Sequence, residues 1–245
     1  MIEGRPADVQ HKLQMIRILT EIADNGILAG SLLFKGGTCA QMLGFLDRFS
    51  VDLDFDIKPS APAGAVRREL KEVIKKLGLE IVNENIKTVE FSLKYPSKPG
   101  MRNTLKFSVF PEWVKANKYK AQYLPEISRT LVCQTVETMF ANKLVALTER
   151  FSRHRSIAGR DIYDIHYFYS NGYKYDAAVI KERTGLSVKQ YLWKVVEFIE
   201  KRVTEKIITE DLNTLLPFEK YTIIRKSLKQ EVLMLLKNDL DGQRN

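Results

Sequence analysis

The most regular pattern in this chain runs from Phe49 to Ile57. There Phe49, Val51, Leu53, Phe55 and Ile57 alternate with Ser50, Asp52, Asp54 and Asp56. Such alternation predicts a β-strand with one apolar face and one face carrying aspartates. Pro59 and Pro62 close it. Upstream, Leu13, Ile16, Leu19 and Ala23 recur at spacings of three and four, which predicts a helix stopped at Asn25-Gly26. A short apolar run, Leu32-Leu33-Phe34, leads into Lys35-Gly36-Gly37-Thr38, and Ala40 to Leu46 reads as helical. Ala65 to Leu77 has the spacing of a charged amphipathic helix. Lys87 to Tyr95 and Asn103 to Phe110 are rich in β-branched and aromatic residues, and predict a hairpin around Pro96 to Gly100. From about Thr135 the pattern is helical, with breaks at Arg155 to Gly159, Asn171-Gly172, Gly185 and Pro217. The expected class is α+β: a mixed sheet with flanking helices, followed by a helical C-terminal domain.

Composition adds limits. The chain has 245 residues, 44% of them apolar and 28% charged, the balance of a folded globular protein. No apolar run approaches the roughly 20 residues of a membrane-spanning helix, and no leader pattern is present, so a cytoplasmic protein is expected. Two cysteines and three histidines exclude a disulfide framework and a zinc cluster of the usual spacing. Cys39, Cys133, His11, His154 and His166 read as structural or surface residues. The formal charge of +9 favours a phosphate-bearing partner. Met1-Ile2-Glu3-Gly4-Arg5 reads as a protease-site remnant and is left out of the fold.

Three groups of residues carry candidate chemistry. Asp52 and Asp54 project from one face of their strand, with Asp56 one step further along. Like charges this close repel, and a divalent cation held by carboxylate oxygens resolves the repulsion; a solvated sheet face is the simpler reading. Gly36-Gly37 allows close backbone approach to a ligand, and the helix that follows turns free N–H groups toward an anion. Thr38 would cap that helix or donate to a phosphate. Neither a Walker-type nor a dinucleotide glycine motif occurs. In the helical half, Lys143 and Arg150 fall on the apolar arc of Val136, Met139, Phe140, Leu144, Leu147 and Phe151, and Asp161 and Asp164 lie beside Ile165 and Phe168. Two readings stay open. The charges pair across two helices, or the lysine lies over nucleotide phosphates while an acid deprotonates the attacking group. Asp161 is also a candidate helix cap. Five basic residues against one acid between Lys143 and Arg160 suit an RNA or nucleotide surface.

In this order the motifs resemble a known family. Phe34 to Thr38 followed by Arg48 to Phe55, with thirteen residues between Thr38 and Asp52, is similar to the nucleotidyltransferase signature of the DNA polymerase beta superfamily. Asn142 to Leu147 and Arg160 to Asp164 resemble the second half of the AbiEii/AbiGii toxin family, the nucleotidyltransferase-like toxins of type IV toxin–antitoxin and abortive-infection systems. The resemblance spans roughly residues 10 to 170. It implies a nucleotidyltransferase-like core over 10–130 and a helical domain over 131–245 that contributes Lys143 and Asp161. It implies that Asp52 and Asp54 bind Mg²⁺ and that Lys35, Gly36, Gly37, Thr38, Arg48, Ser50 and Lys143 hold the NTP. Asp161 would act in catalysis or orient Lys143, with Asp164 and Arg150 in support.

The implied reaction is transfer of NMP from an NTP to an acceptor hydroxyl, RNA and specifically a tRNA 3′ end being the acceptor expected. An antitoxin would counteract it without a stable complex. Two features depart from the pattern. Ser108 stands where the superfamily often has a third carboxylate, which leaves Asp56, Glu90 and Asp161 as candidates for that role, and Asn142 replaces a common Glu. Transfer to a small molecule or a protein, and a nucleotide- or RNA-binding module without turnover, are the alternatives.

Overall fold

The computed structural model describes residues 6–85 and 88–242. Met1 to Arg5, which read as a remnant, and Lys87, where the hairpin was expected to begin, lie outside the described residues. The chain divides into two compact units. One spans residues 1–113 and 118–135, the other 114–117 and 136–245.

The first unit is built on a seven-stranded sheet in the order β3-β4-β5-β2-β1-β7-β6. Its strands are β1 (Leu32–Lys35), β2 (Asp52–Ile57), β3 (Glu80–Asn85), β4 (Val89–Lys94), β5 (Thr104–Phe110), β6 (Tyr119–Leu124) and β7 (Arg129–Gln134). Central β2 pairs antiparallel with β1 and parallel with β5, in the register Asp54↔Lys35 and Asp54↔Ser108. One face is apolar. Phe34, Phe55, Phe107 and Phe91 lie across it, with successive ring centroids 5.1, 5.2 and 6.5 Å apart. Helices α1 (Pro6–Asp24), α2 (Gly26–Ser31) and α4 (Ala63–Lys76) pack on one another, with α1 against β5 and β7 and α4 against β3. Met15, Ile18, Leu19 and Ile22 of α1 are buried there, as are Val66, Leu70, Val73 and Ile74 of α4. The other face carries the polar half of each alternation. Short α3 (Gly36–Met42) follows β1 directly.

The elements differ from the sequence expectation in instructive places. Asn25 does end α1, but its Oδ1 also accepts the N–H groups of Ile27 and Leu28, so the stop is the cap of α2. The β2 ladder begins at Asp52 and not at Phe49. Phe49 and Ser50 are buried ahead of it, and the Phe49 carbonyl accepts Arg48 Nη1 at 3.0 Å. Three strands were not expected: β3 and β6, which are the two sheet edges, where solvated strands lose apolar alternation, and β7, which lies between β1 and β6. Among the described residues no helix is long and apolar enough to cross a membrane. Cys39 and Cys133 are buried free thiols.

The second unit is helical: α5 (Val136–His154), α6 (Gly159–Ser170), α7 (Ala177–Thr184), α8 (Val188–Arg202), α9 (Glu205–Leu212) and α10 (Phe218–Gly242). Polar groups lock its core. Buried Tyr191 of α8 donates its hydroxyl to the Leu144 carbonyl at 2.9 Å, and the hydroxyls of Tyr169 and Tyr175 both reach Asp239 Oδ2 at 2.8 Å. Ser187 starts α8 with a reciprocal capping box to Gln190.

His11 joins α1 to the segment that delivers the acidic strand. Its Nε2 donates to the Val51 carbonyl at 2.8 Å, which leaves Nδ1 to accept the Tyr95 hydroxyl at 2.6 Å. Burial lowers the His11 pKa below its ordinary 6.5; the bond to Val51 opposes the shift, Arg102 adds to it, and Asp52 and Asp8 oppose it. Burial likewise pushes the Tyr95 hydroxyl up to about 12, so it stays a donor. The unfolded chain takes up the histidine proton near pH 6.5 and the folded chain only below that. Stability from the neutral ring is therefore complete above pH 6.5 and lost as pH falls through the folded value. The melting temperature is expected to drop on acidification from about pH 7 to 5. A His11→Gln variant should show a flatter dependence, and an equal slope in both proteins would exclude His11 as its source.

Candidate active site

On the polar face of β2 the aspartates do not play one role. Asp56 is 3% exposed and its carboxylate is fully engaged. Oδ1 accepts Lys35 Nζ at 2.5 Å, and Oδ2 accepts the Tyr119 hydroxyl at 2.7 Å and Gln134 Nε2 at 2.8 Å. These donors come from β1, β6 and β7, so Asp56 fastens strands, with both of its oxygens engaged by protein donors. The reading of three like charges sharing a cation is corrected accordingly: Asp56 is compensated by protein donors, and its candidacy as the third carboxylate falls with it. Lys35, expected at the phosphates, spends its ammonium on Asp56 and lies 3.9 Å from the centroid of the Phe110 ring.

Asp52 and Asp54 are half-buried and share a face. Against them lies the start of α3. Gly36 has φ +79°, and a Cβ there would meet Asp54 Oδ2 at 2.6 Å, so only glycine lets the backbone pass this carboxylate. A Cβ on Gly37 would meet Arg48 Nη2 and Ser50 Oγ, each at 2.8 Å. Arg48 and Ser50 are buried and pack behind the turn. The Thr38 hydroxyl donates to the Asp52 carbonyl oxygen at 2.5 Å, tying the first turn of α3 to the start of β2. Lys35 occupies the cap position of α3 without a side-chain cap bond.

Among the described residues no group of three or more acids, histidines or cysteines could hold a metal ion. What the chain offers is a carboxylate pair, Asp52 and Asp54, with a glycine backbone in place of side chains beside Asp54. That donor set fits a hard cation such as Mg²⁺, which takes one or two protein carboxylates and completes its shell with water and substrate phosphates. Ser108 lies in register with Asp54, and Glu90 of β4 is in register with Ser108 on the far side, bonded to Lys106 at 2.7 Å. Lys106 is in turn the neighbour of Asp52.

In the helical unit Lys143 of α5 bridges two buried acids of α6, Asp161 Oδ1 at 2.8 Å and Asp164 Oδ2 at 2.9 Å. Arg150 Nε faces the second Asp161 oxygen at 3.4 Å. Burial raises the Asp161 pKa, but Lys143 and Arg150 outweigh it, against a smaller opposing effect of Asp164, and the net value is below 3.8. Asp161 therefore stays ionised at neutral pH. The cap reading of Asp161 is corrected: Ala158 holds that position, and Asp161 lies inside the first turn. Asn142 is held by Arg183, whose guanidinium also binds Glu149.

A model of the family described as "Nucleotidyl transferase AbiEii toxin, Type IV TA system" matches residues 17–239. The chain belongs to the AbiEii nucleotidyltransferase toxin family. It is a nucleotidyltransferase, and its family is one of toxins. No curated protein matches it significantly by sequence. Among solved structures, JHP933 from Helicobacter pylori is similar at 16% identity with a TM-score of 0.54, covering 99% of this chain and 98% of that one. MenT4, a nucleotidyltransferase toxin from Mycobacterium tuberculosis, is similar at 20% identity with a TM-score of 0.55, covering 97% and 87%. At such identities the likeness is one of fold, and the expected mixed sheet with a helical C-terminal part is the fold found.

The sequence brought out Gly36, Gly37, Thr38, Asp52 and Asp54, which the first unit gathers, and Lys143, Arg150, Asp161 and Asp164, which the helical unit gathers. It did not bring out Tyr119 and Gln134, whose only signal is spatial, through Asp56.

Two outcomes follow. Gly36→Ala should cost about 100-fold or more in transfer, because Asp54 or the turn must shift by a sizeable fraction of an ångström, and should also lower the melting temperature, because a side chain is forced into a positive-φ backbone. Lys143→Ala should destabilise by about 3–5 kcal/mol, since it strands two buried carboxylates. Adding Asp161→Asn and Asp164→Asn should recover much of that loss in thermal melts; no recovery would mean that the ion pairs are not its origin.

Proposed function

We propose that the protein transfers NMP from an NTP to an RNA hydroxyl, most specifically at a tRNA 3′ end, with Asp52 and Asp54 holding Mg²⁺, as the toxin of a type IV system. The observation that carries this reading is the Asp52–Asp54 pair set against the side-chain-free Gly36 turn, in a chain of this family. The net charge of +9 suits a polyanionic acceptor.

The acceptor oxygen attacks the α-phosphorus in line, the bond to the bridging α–β oxygen breaks, and pyrophosphate leaves with that electron pair. The bound cation supplies charge stabilisation of the attacking and leaving oxygens. Asp52 and Asp54 fix its position, and the glycine turn receives phosphate oxygens on backbone N–H groups. Lys143, whose side chain keeps 18% of its surface exposed, is assigned to the triphosphate. Asp161 holds the Lys143 ammonium in place, with Asp164 and Arg150 in support. Arg48 and Ser50 back the turn. The hydroxyl proton leaves to a nearby base, for which Glu90 is the carboxylate on the same sheet face.

A second reading, nucleotide binding without turnover, is favoured by one observation: the strand neighbour of Asp54 is Ser108 and not an acid. Incubation with total tRNA, Mg²⁺ and each radiolabelled NTP in turn separates the two. Label is expected in RNA with one or more nucleotides and none with Asp52→Ala/Asp54→Ala. Nucleotide binding with no labelled RNA would overturn transfer to tRNA and turn attention to other acceptors and to the second reading.

A further inference from the structure

Phe110 interrupts the polar series of its own strand. The residues of β5 on the face shared with Asp52 and Asp54 are Thr104, Lys106, Ser108 and then Phe110, in register with Asp56. The solvated face of a strand ordinarily carries polar side chains, yet this ring is 43% exposed. Trp113, three residues on, is 37% exposed. It lies stacked on Tyr119, with ring centroids 5.8 Å apart and planes at 18°.

Both rings are held by the Asp56 cluster. Tyr119, beneath Trp113, donates its hydroxyl to Asp56, and Lys35, over Phe110, is the ion-pair partner of the same carboxylate. One face of each ring thus rests on a fixed group, and the apolar area left over is open. Two residues further along a strand and one strand across puts Phe110 about 8 Å from Asp54 at the Cα atoms. That is within the reach of a single nucleotide whose phosphate lies at Asp54.

We propose that Phe110 and Trp113 form a stacking platform for a nucleobase of the reacting substrates. The proposal rests on nucleotidyl transfer at Asp52 and Asp54. Flat, exposed rings among aspartate, lysine and serine suit a ligand that is itself both aromatic and charged. An apolar peptide or an acyl chain would have to desolvate those charged neighbours. Base–aromatic stacking is sequence-tolerant, since every base has a π-face. The base belongs either to the incoming NTP or to the end of the acceptor.

The chain has two tryptophans, so Trp193→Phe leaves Trp113 as the only indole. Trp193 lies half-exposed on α8, outside the residues assigned to the site. In that protein, Trp113 fluorescence is titrated with each NTP, with base-less ribose 5′-triphosphate and with short single-stranded oligoribonucleotides. A base-bearing ligand is expected to quench and the base-less one is not. Quenching by NTP assigns the platform to the substrate base, and quenching by oligoribonucleotide alone assigns it to the acceptor. In the labelling reaction, Phe110→Ala should raise KM for the same ligand by about 5- to 100-fold with a smaller effect on kcat, and Phe110→Tyr should restore it. Transfer with unchanged KM in Phe110→Ala and no quenching overturns the platform and leaves the transfer reaction standing. Quenching by nucleotides in a protein that labels no acceptor does the reverse.

Discussion

The carboxylate of Asp56 is the interaction on which the first unit turns. A buried, ionised acid is costly unless donors surround it, and here they arrive from three other strands. Lys35, Tyr119 and Gln134 must be in place together for Asp56 to be buried at all. Satisfying that one group ties β1, β2, β6 and β7 together on their polar side. It also separates the three acids of β2, since Asp56 is buried in this cluster while Asp52 and Asp54 on the same face stay half-buried.

The helical unit solves a related problem with opposite emphasis. Two buried acids on α6, one turn apart, would repel each other, and a single lysine from α5 bridges both. Such an arrangement is poor as a source of stability, since apolar residues of the same volume pack as well or better. What it does supply is a cation held at a set position with part of its side chain still in solvent.

Much of this was legible along the chain. Alternation in β2, the glycine pair and the misplaced charges on α5 and α6 are local patterns, and each marks a real element of the fold. What was not legible depends on distance in space. Alternation assigned Asp52, Asp54 and Asp56 to one face but could not tell which of them would meet Lys35. The edges β3 and β6 are solvated and carry little apolar signal. Phe49 to Val51 fit a strand by pattern, yet the segment lies outside the ladder, with the Phe49 carbonyl bonded to Arg48 and the Val51 carbonyl to His11. Phe110 was visible as a strand residue, while its place in a polar row became meaningful only beside Asp56.

The Asp56 cluster also orders events during synthesis. Its partners lie 21, 63 and 78 residues away in the chain, and the farthest of them, Gln134, is the last residue of the last strand. Contacts across such separations close large loops and form late. A ribosome-bound chain that has already exposed its glycine turn and the Asp52–Asp54 pair still lacks the fastening that sets them in register. For a toxin, that postpones a competent catalytic face until the whole sheet-forming segment has emerged, and truncated products would carry the signature residues without the means to align them.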